Sequence, residues 1–134
     1  MSDGFSAKSG LQMITRTAKD ILARYRSGER DFQRTDLPEG SSFAGSVLAG
    51  SNFKDSWLFG TDFNGADLRN ACFDESNVKC CDFRGADLRE ATIRESVVCG
   101  SNFEGARVDE VCTEGTTWYG ANVTDLHVIA EVRK

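Results

Sequence analysis

The chain is poor in the residues on which most enzyme chemistry depends. It has one histidine, His127, and one proline, Pro38, in 134 residues. A single histidine near the C-terminal end, with no serine or cysteine placed as its partner, argues against a catalytic triad. Long apolar runs are also missing. No stretch approaches the roughly 20 residues that a membrane-spanning helix needs, and Met1 to Gly10 holds no apolar signal-peptide core. These absences predict a cytoplasmic protein that neither spans nor binds a membrane. The five cysteines (Cys72, Cys80, Cys81, Cys99, Cys112) are odd in number, and the chain is too long to need a disulfide framework. Cys80-Cys81 lacks the ligand spacing of a zinc site. No glycine-rich phosphate loop leads into a helix. No cofactor, metal or catalytic residue is expected, and the chain reads as a non-enzyme.

Charge is present but uneven. Residues 1–35 carry 7 basic and 4 acidic groups, for +3. Residues 36–125 carry 7 basic and 16 acidic groups, for −9. Binding to nucleic acid rests on neutralising phosphates, so this body disfavours direct nucleic-acid contact. A protein partner with a basic surface suits it better.

What dominates is a period of five. Every fifth residue from Phe43 runs Phe43, Leu48, Phe53, Leu58, Phe63, Leu68, Phe73, Val78, Phe83, Leu88, Ile93, Val98, Phe103, Val108, Thr113, Trp118, Val123. Sixteen of these 17 positions are apolar, and the frame never slips. The residue two before each centre is small, as in Ser56, Ala66, Cys81 and Ala86. Two after it, glycine recurs, as in Gly45, Gly65, Gly85 and Gly105. Five is neither the helical nor the strand period. In extended chain, however, positions two apart point the same way. The small and the large residue therefore both face inward, and glycine suits a corner with positive φ. Each block becomes one short side plus a turn.

A second period of twenty organises the blocks. With four blocks per coil, Phe43, Phe63, Phe83 and Phe103 form one ladder; Leu48, Leu68, Leu88 and Val108 form the next. Phe53, Phe73, Ile93 and Thr113 form a third, and Leu58, Val78, Val98 and Trp118 a fourth. Like residues stack on like, as a solenoid core requires.

Blocks such as Ala66-Asp67-Leu68-Arg69-Asn70 and Ala86-Asp87-Leu88-Arg89-Glu90 resemble the motif of the pentapeptide-repeat family. The resemblance implies an all-β solenoid, a right-handed quadrilateral (four-sided) β-helix. At four blocks per coil the chain holds about 4–5 coils. Some members of that family act as DNA mimics that modulate type II topoisomerases such as DNA gyrase. That is the alternative to a protein-binding or scaffold module of unspecified partner.

Three regions are expected: residues 1–30 as tail and amphipathic helix, 31–125 as β-helix, 126–134 as a C-terminal cap. Residues 11–26 read as the helix, with Leu11, Ile14, Ala18, Ile21, Leu22 and Tyr25 on one stripe. It is expected to cap the first coil, because solenoid ends expose core. The segment from Tyr25 to Phe32 is similar to the lead-in of many family members. The step of six from Leu37 to Phe43 places one extra residue in a turn at Pro38-Glu39-Gly40. Leu126-His127-Val128-Ile129 would close the far end or pair with a second chain.

The frame also assigns outward positions. Lys54, Asp74, Arg94 and Glu114 alternate in sign on the third face, which is structural. At the adjoining corner Asp55, Glu75 and Glu95 stack like on like and form a candidate interaction strip. On the fourth face Trp57, Phe59, Val97 and Tyr119 are predicted to point outward. Such a cluster would be covered by a second copy, a partner or the N-terminal helix. Monomer and homodimer both stay open, as does a Cys80–Cys99 disulfide. Asp62 and Asp82, with Asn102 and Asn122, form an outward ladder read as satisfying corner backbone groups.

Overall fold

The structure, a computed structural model, describes residues 12–122. Leu11, Val123, His127 and the expected C-terminal cap lie outside the described residues. From Ser41 onward the five-residue frame becomes a succession of parallel bridges between residues 20 apart. One register runs Ser42, Asp62, Asp82, Asn102, Asn122; others start at Val47, Asn52 and Trp57. The chain is a solenoid whose coils rest on one another by backbone hydrogen bonds, such as Phe63 N–H to Asp82 O at 2.8 Å and Asp82 N–H to Thr61 O at 3.0 Å.

The bridge residue points outward and its neighbour inward. The centres Phe43, Leu48, Phe53, Leu58, Phe63, Leu68, Phe73, Val78, Phe83, Leu88, Ile93, Val98 and Phe103 are all fully buried. The phenylalanines stack up the axis. Ring centroids of Phe43 and Phe63 lie 5.5 Å apart, Phe63 and Phe83 5.1 Å, Phe83 and Phe103 4.8 Å. A second column joins Phe32, Phe53 and Phe73, and Phe73 meets Phe63 and Phe83 edge-on. Offset stacks and edge contacts are the two favourable aromatic geometries. A small residue beside each ring leaves room for both.

Below Phe43 the bridges span 21 residues, Asp31 to Asn52 and Asp36 to Trp57. The turn at 38–40 absorbs the extra residue: Ser41 N–H returns to Pro38 O, and a Cβ on Gly60 would meet the Glu39 side chain at 2.8 Å.

The N-terminal segment departs from the single helix expected over 11–26. Strand β1 (Ile14–Thr15) pairs in parallel with β2 (Thr35–Asp36), and helix α1 covers only Ala18–Arg26. Two local features explain the break. Thr17 is an N-cap whose hydroxyl accepts from Asp20 N–H. Ahead of it, β-branched Ile14 and Thr15 find the unpaired lower edge of the first coil, where Ile14 N–H reaches Arg34 O at 2.7 Å. The periodicity of the stripe survives from Ala18 on. Ile21 is fully buried in the solenoid core, with Ala18, Leu22 and Tyr25 packed around it. No helix among the described residues is long and apolar enough to cross a membrane.

Candidate protein-binding surfaces

Every fifth residue, at the corner, has positive φ whether or not it is glycine. Eight non-glycine residues adopt it, among them Asp55, Glu75, Cys80, Glu90 and Glu95. The corners fall into two kinds. At the first corner the turn closes on itself: Ala86 N–H donates to Phe83 O around Gly85 (φ +67), and Ala66 N–H to Phe63 O around Gly65. At the third corner the equivalent bond is absent from four successive turns. Instead Thr35, Ser56, Ser76 and Ser96 N–H each donate to the hydroxyl one coil on, those of Ser56, Ser76, Ser96 and Thr116. The hydroxyls in turn donate to carbonyls in the interior, Ser76 to Phe53 O at 2.7 Å and Ser96 to Phe73 O at 2.6 Å. This ladder satisfies the buried polar groups that an opened turn exposes. Sequence reasoning treated the small inward residue as a matter of size alone. The serine run at 56, 76 and 96 was the available signal.

The open turns carry Arg34, Asp55, Glu75 and Glu95, with φ between +56 and +61. That is the left-handed helical well, which an ordinary side chain can occupy at a cost. The third corner thus presents a column of charged side chains where the first corner presents bare backbone. Asp55 corrects the expected exposed strip. It is 5% exposed, and its Oδ1 meets no hydrogen-bond partner among the described residues. As the first acid of the column, it lies beside Lys54 and beneath Asp74 O, to which its N–H donates at 2.9 Å. Glu75 is half-buried and Glu95 exposed. The Glu95 carboxylate lies over Gly115, where any Cβ would collide with it.

Beside this corner the third face forms a groove of about 330 Å³ lined by Lys54, Asp74, Glu75, Arg94, Glu95 and Glu114. The expected alternation of charge is used once within it. Arg94 holds Asp74 through its guanidinium at 2.9 Å and its own N–H at 2.9 Å. Burial pushes the Asp74 carboxyl up, but these bonds from Arg94 outweigh it and leave the group below the usual carboxylate range. The carboxylates of Glu75, Glu95 and Glu114 have no hydrogen bond or ion pair among the described residues.

On the first and second faces the acids serve the backbone. Oδ1 of Asp62, Asp67, Asp82 and Asp87 each accepts the N–H two residues on, as does Asn102. Asp67, Asp82 and Asp87 also hold Arg69, Arg84 and Arg89 at 2.7 Å. Those arginine bonds keep the three carboxyls below their ordinary range.

The apolar fourth face is less continuous than the frame suggests. Trp57 and Phe59 stack with centroids 6.4 Å apart, and both are half-buried. Asn77 bridges Trp57 to Val97 and is buried between them. Tyr119 is 86% exposed. The structure joins the first pair and leaves Tyr119 apart. Helix α1 anchors on the second face, where Tyr25 Oη donates to Ala49 O at 2.7 Å. All five cysteines are free. Cys80 N–H donates to Cys99 O, and burial pushes the Cys81 thiol up to about 12. No group of three or more His, Cys, Asp or Glu among the described residues could hold a metal ion.

This geometry has counterparts. QnrB1, a plasmid-mediated fluoroquinolone resistance protein, in a trypsin-treated form, superposes with a TM-score of 0.67 at 20% identity, over 72% of this chain and 52% of QnrB1. Full-length QnrB1 gives 0.54 at 17% identity, over 68% and 62%. Rfr23, a pentapeptide repeat protein from the cyanobacterium Cyanothece 51142, gives 0.45 at 24% identity, over 66% and 63%. The chain thus spans about half the length of the first of these, and the likeness is one of fold, a right-handed β-helix. No curated protein matches the chain in sequence. The model of the pentapeptide repeats matches in eight copies, over residues 31–65, 39–74, 66–105 and 81–112. With that match running through the solenoid from Asp31 to Cys112, the chain belongs to the pentapeptide-repeat family.

Proposed function

We propose that the protein is a non-catalytic, cytoplasmic protein-binding module that receives a basic side chain of its partner at the third corner. One observation carries this reading. Glu75, Glu95 and Glu114 line a groove without a partner among the described residues, over the buried Asp55, and two of these acids sit in a backbone conformation that favours glycine. A non-glycine residue there costs roughly 1–2 kcal/mol, and like charges stacked from coil to coil add to it. A guanidinium or ammonium group entering the groove would relieve the repulsion and pair with carboxylates that are already positioned. In the same reading the chain is a four-sided coil closed at its N-terminal end by α1, as the burial of Ile21 supports.

The test is fluorescence anisotropy with a labelled arginine-rich peptide, on the full chain and on Glu75→Gln/Glu95→Gln. The expected result is saturable, salt-sensitive binding that the double variant weakens at least tenfold. Equal binding by both proteins would remove the site.

A second reading, a DNA-mimicking modulator of a type II topoisomerase, is favoured by the fold shared with QnrB1. In this reading the acidic faces occupy a basic DNA-binding groove. Inhibition of supercoiling by the full chain in a DNA gyrase assay, lost in the same double variant, would select it. Light scattering across a concentration series would show whether a dimer lengthens the acidic surface.

A further inference from the structure

The helix junction carries a second site, of opposite charge and on a different face. On the second face each bridge residue donates its N–H to the coil below: Asp67 to Ser46 O, Asp87 to Ala66 O, Arg107 to Ala86 O. Val47 opens this ladder. Among the described residues its N–H meets no acceptor, because the place of the coil below is taken by the C-terminal half of α1. On the third and fourth faces the equivalent donors, Asn52 and Trp57, are met by Arg30 O and Thr35 O. The second face therefore keeps a free strand edge, and Val47 is 55% exposed on it.

Between that edge and the helix lies a groove of about 450 Å³ lined by Leu22, Tyr25, Arg26, Arg30, Ser46 and Val47. Its volume is in the range of ligand-binding clefts. Leu22, Tyr25 and Val47 give it apolar walls. The Tyr25 ring is held in place by its bond to Ala49 O and by the Arg30 guanidinium, 3.6 Å from the ring centroid. Arg30 Nη1 donates to backbone carbonyls, Tyr25 O and Glu29 O. Arg26 has no ion pair among the described residues. Neither positive charge is neutralised, whereas the acids of this segment, Asp20 and Glu29, are held by Arg24.

We infer that this groove binds an extended acidic peptide. One apolar side chain of the peptide sits between Leu22 and Val47. A peptide carbonyl accepts from Val47 N–H, and flanking carboxylates pair with Arg26 and Arg30. Strand addition supplies the backbone bond and the groove the selectivity. The free donor, the apolar floor and the two unneutralised arginines are three separate features, and this occupant satisfies all of them at once.

The experiment is fluorescence anisotropy on the full chain with two labelled probes, Glu-Asp-Leu-Glu-Asp and Lys-Lys-Leu-Lys-Lys, at low salt. The acidic probe is expected to bind saturably and the basic probe not to compete for it. Arg26→Glu should weaken the acidic probe at least tenfold with an unchanged melting temperature, since Arg26 is exposed on the helix. Val47→Pro, which deletes the donor at a strand edge while keeping an apolar side chain in the wall, should do the same. If that variant fails to fold, Arg26→Glu decides alone. Absence of binding overturns the inference, as does binding unmoved by Arg26→Glu. Light scattering that shows a dimer dissociated by the probe would assign the groove to a second copy instead, and would also overturn it.

Discussion

The first and third corners occupy equivalent places in the coil and are built differently. At the first, glycine takes the left-handed position and the turn closes with its own hydrogen bond. At the third, arginine or an acid takes that position, the turn stays open, and serine on the next coil accepts the N–H. From Gly45 onward the glycine corners have φ from +67 to +77 and the non-glycine corners from +56 to +63, the left-handed helical well that tolerates a side chain. The serine ladder is what lets the third corner stay open; charge alone does not require an open turn, since Glu90 and Glu110 at the second corner sit in turns that close. The comparison teaches that whether a solenoid corner closes on itself is selected from the inside, by the hydroxyl that the next coil supplies.

The interior itself should not distinguish the two corners. Phe83, ahead of the first, and Phe73, ahead of the third, are both fully buried in the ring stack. Phe83→Ala and Phe73→Ala should each lower stability by about 3–5 kcal/mol in denaturant titrations. A near-zero change in either would break the ladder. The next largest effect belongs to the third corner and not to the first. Ser76→Ala strips the acceptor of Ser56 N–H and the donor to Phe53 O, and should cost about 1–3 kcal/mol. The same deletion has no counterpart at fully buried Ala86, whose N–H is already bonded within its turn, so Ala86→Ser adds an unpaired buried hydroxyl and should cost about 1–3 kcal/mol.

Smaller again is the exchange of corner residues. Gly85→Ala meets open space but keeps φ at +67, so strain alone should cost about 1–2 kcal/mol. Glu75→Gly should change stability by less than about 1 kcal/mol, because relief of strain offsets the extra freedom of the unfolded chain. It should nevertheless weaken the arginine-rich probe. Acid sharpens the contrast further. The carboxyls of Asp74, Asp67, Asp82 and Asp87 are depressed in the folded protein, so the stability they contribute is present above the usual carboxylate pKa near about 4. It is lost as pH falls through their folded values. The melting temperature should fall on that acid limb, and less steeply in Asp74→Asn than in the parent. Smallest is a difference of rate. Native Cys81, buried with its thiol raised to about 12, should resist a thiol reagent that modifies exposed Cys80.

Much of this was legible from spacing. The inward centres from Phe43 to Phe103, the ladders of twenty and the extra residue at 38–40 are consequences of one period, and a repeat offers each coil only its neighbours to pair with. The alternation of Asp74 and Arg94 and the backbone role of Asp62 and Asp82 could be read from the same frame. Other features lie beyond a pattern of side-chain sizes. The helix was expected from residue 11, yet Ile14 and Thr15 pair with the coil, because an unpaired strand edge attracts whatever β-branched segment can reach it. Asp55 occupies an outward corner by register and is buried nonetheless. Trp57, Phe59 and Tyr119 share a face in sequence, but only the first two meet.

The sequence by itself determined the solenoid, its interior and the order of its faces, because a five-residue period leaves each side chain one direction in which to point. Only the tertiary structure decided which corners open, which acids lose their solvent and which strand edge stays free. Those outcomes depend on what the coil above and the helix below supply to each backbone group, and no single block contains that information.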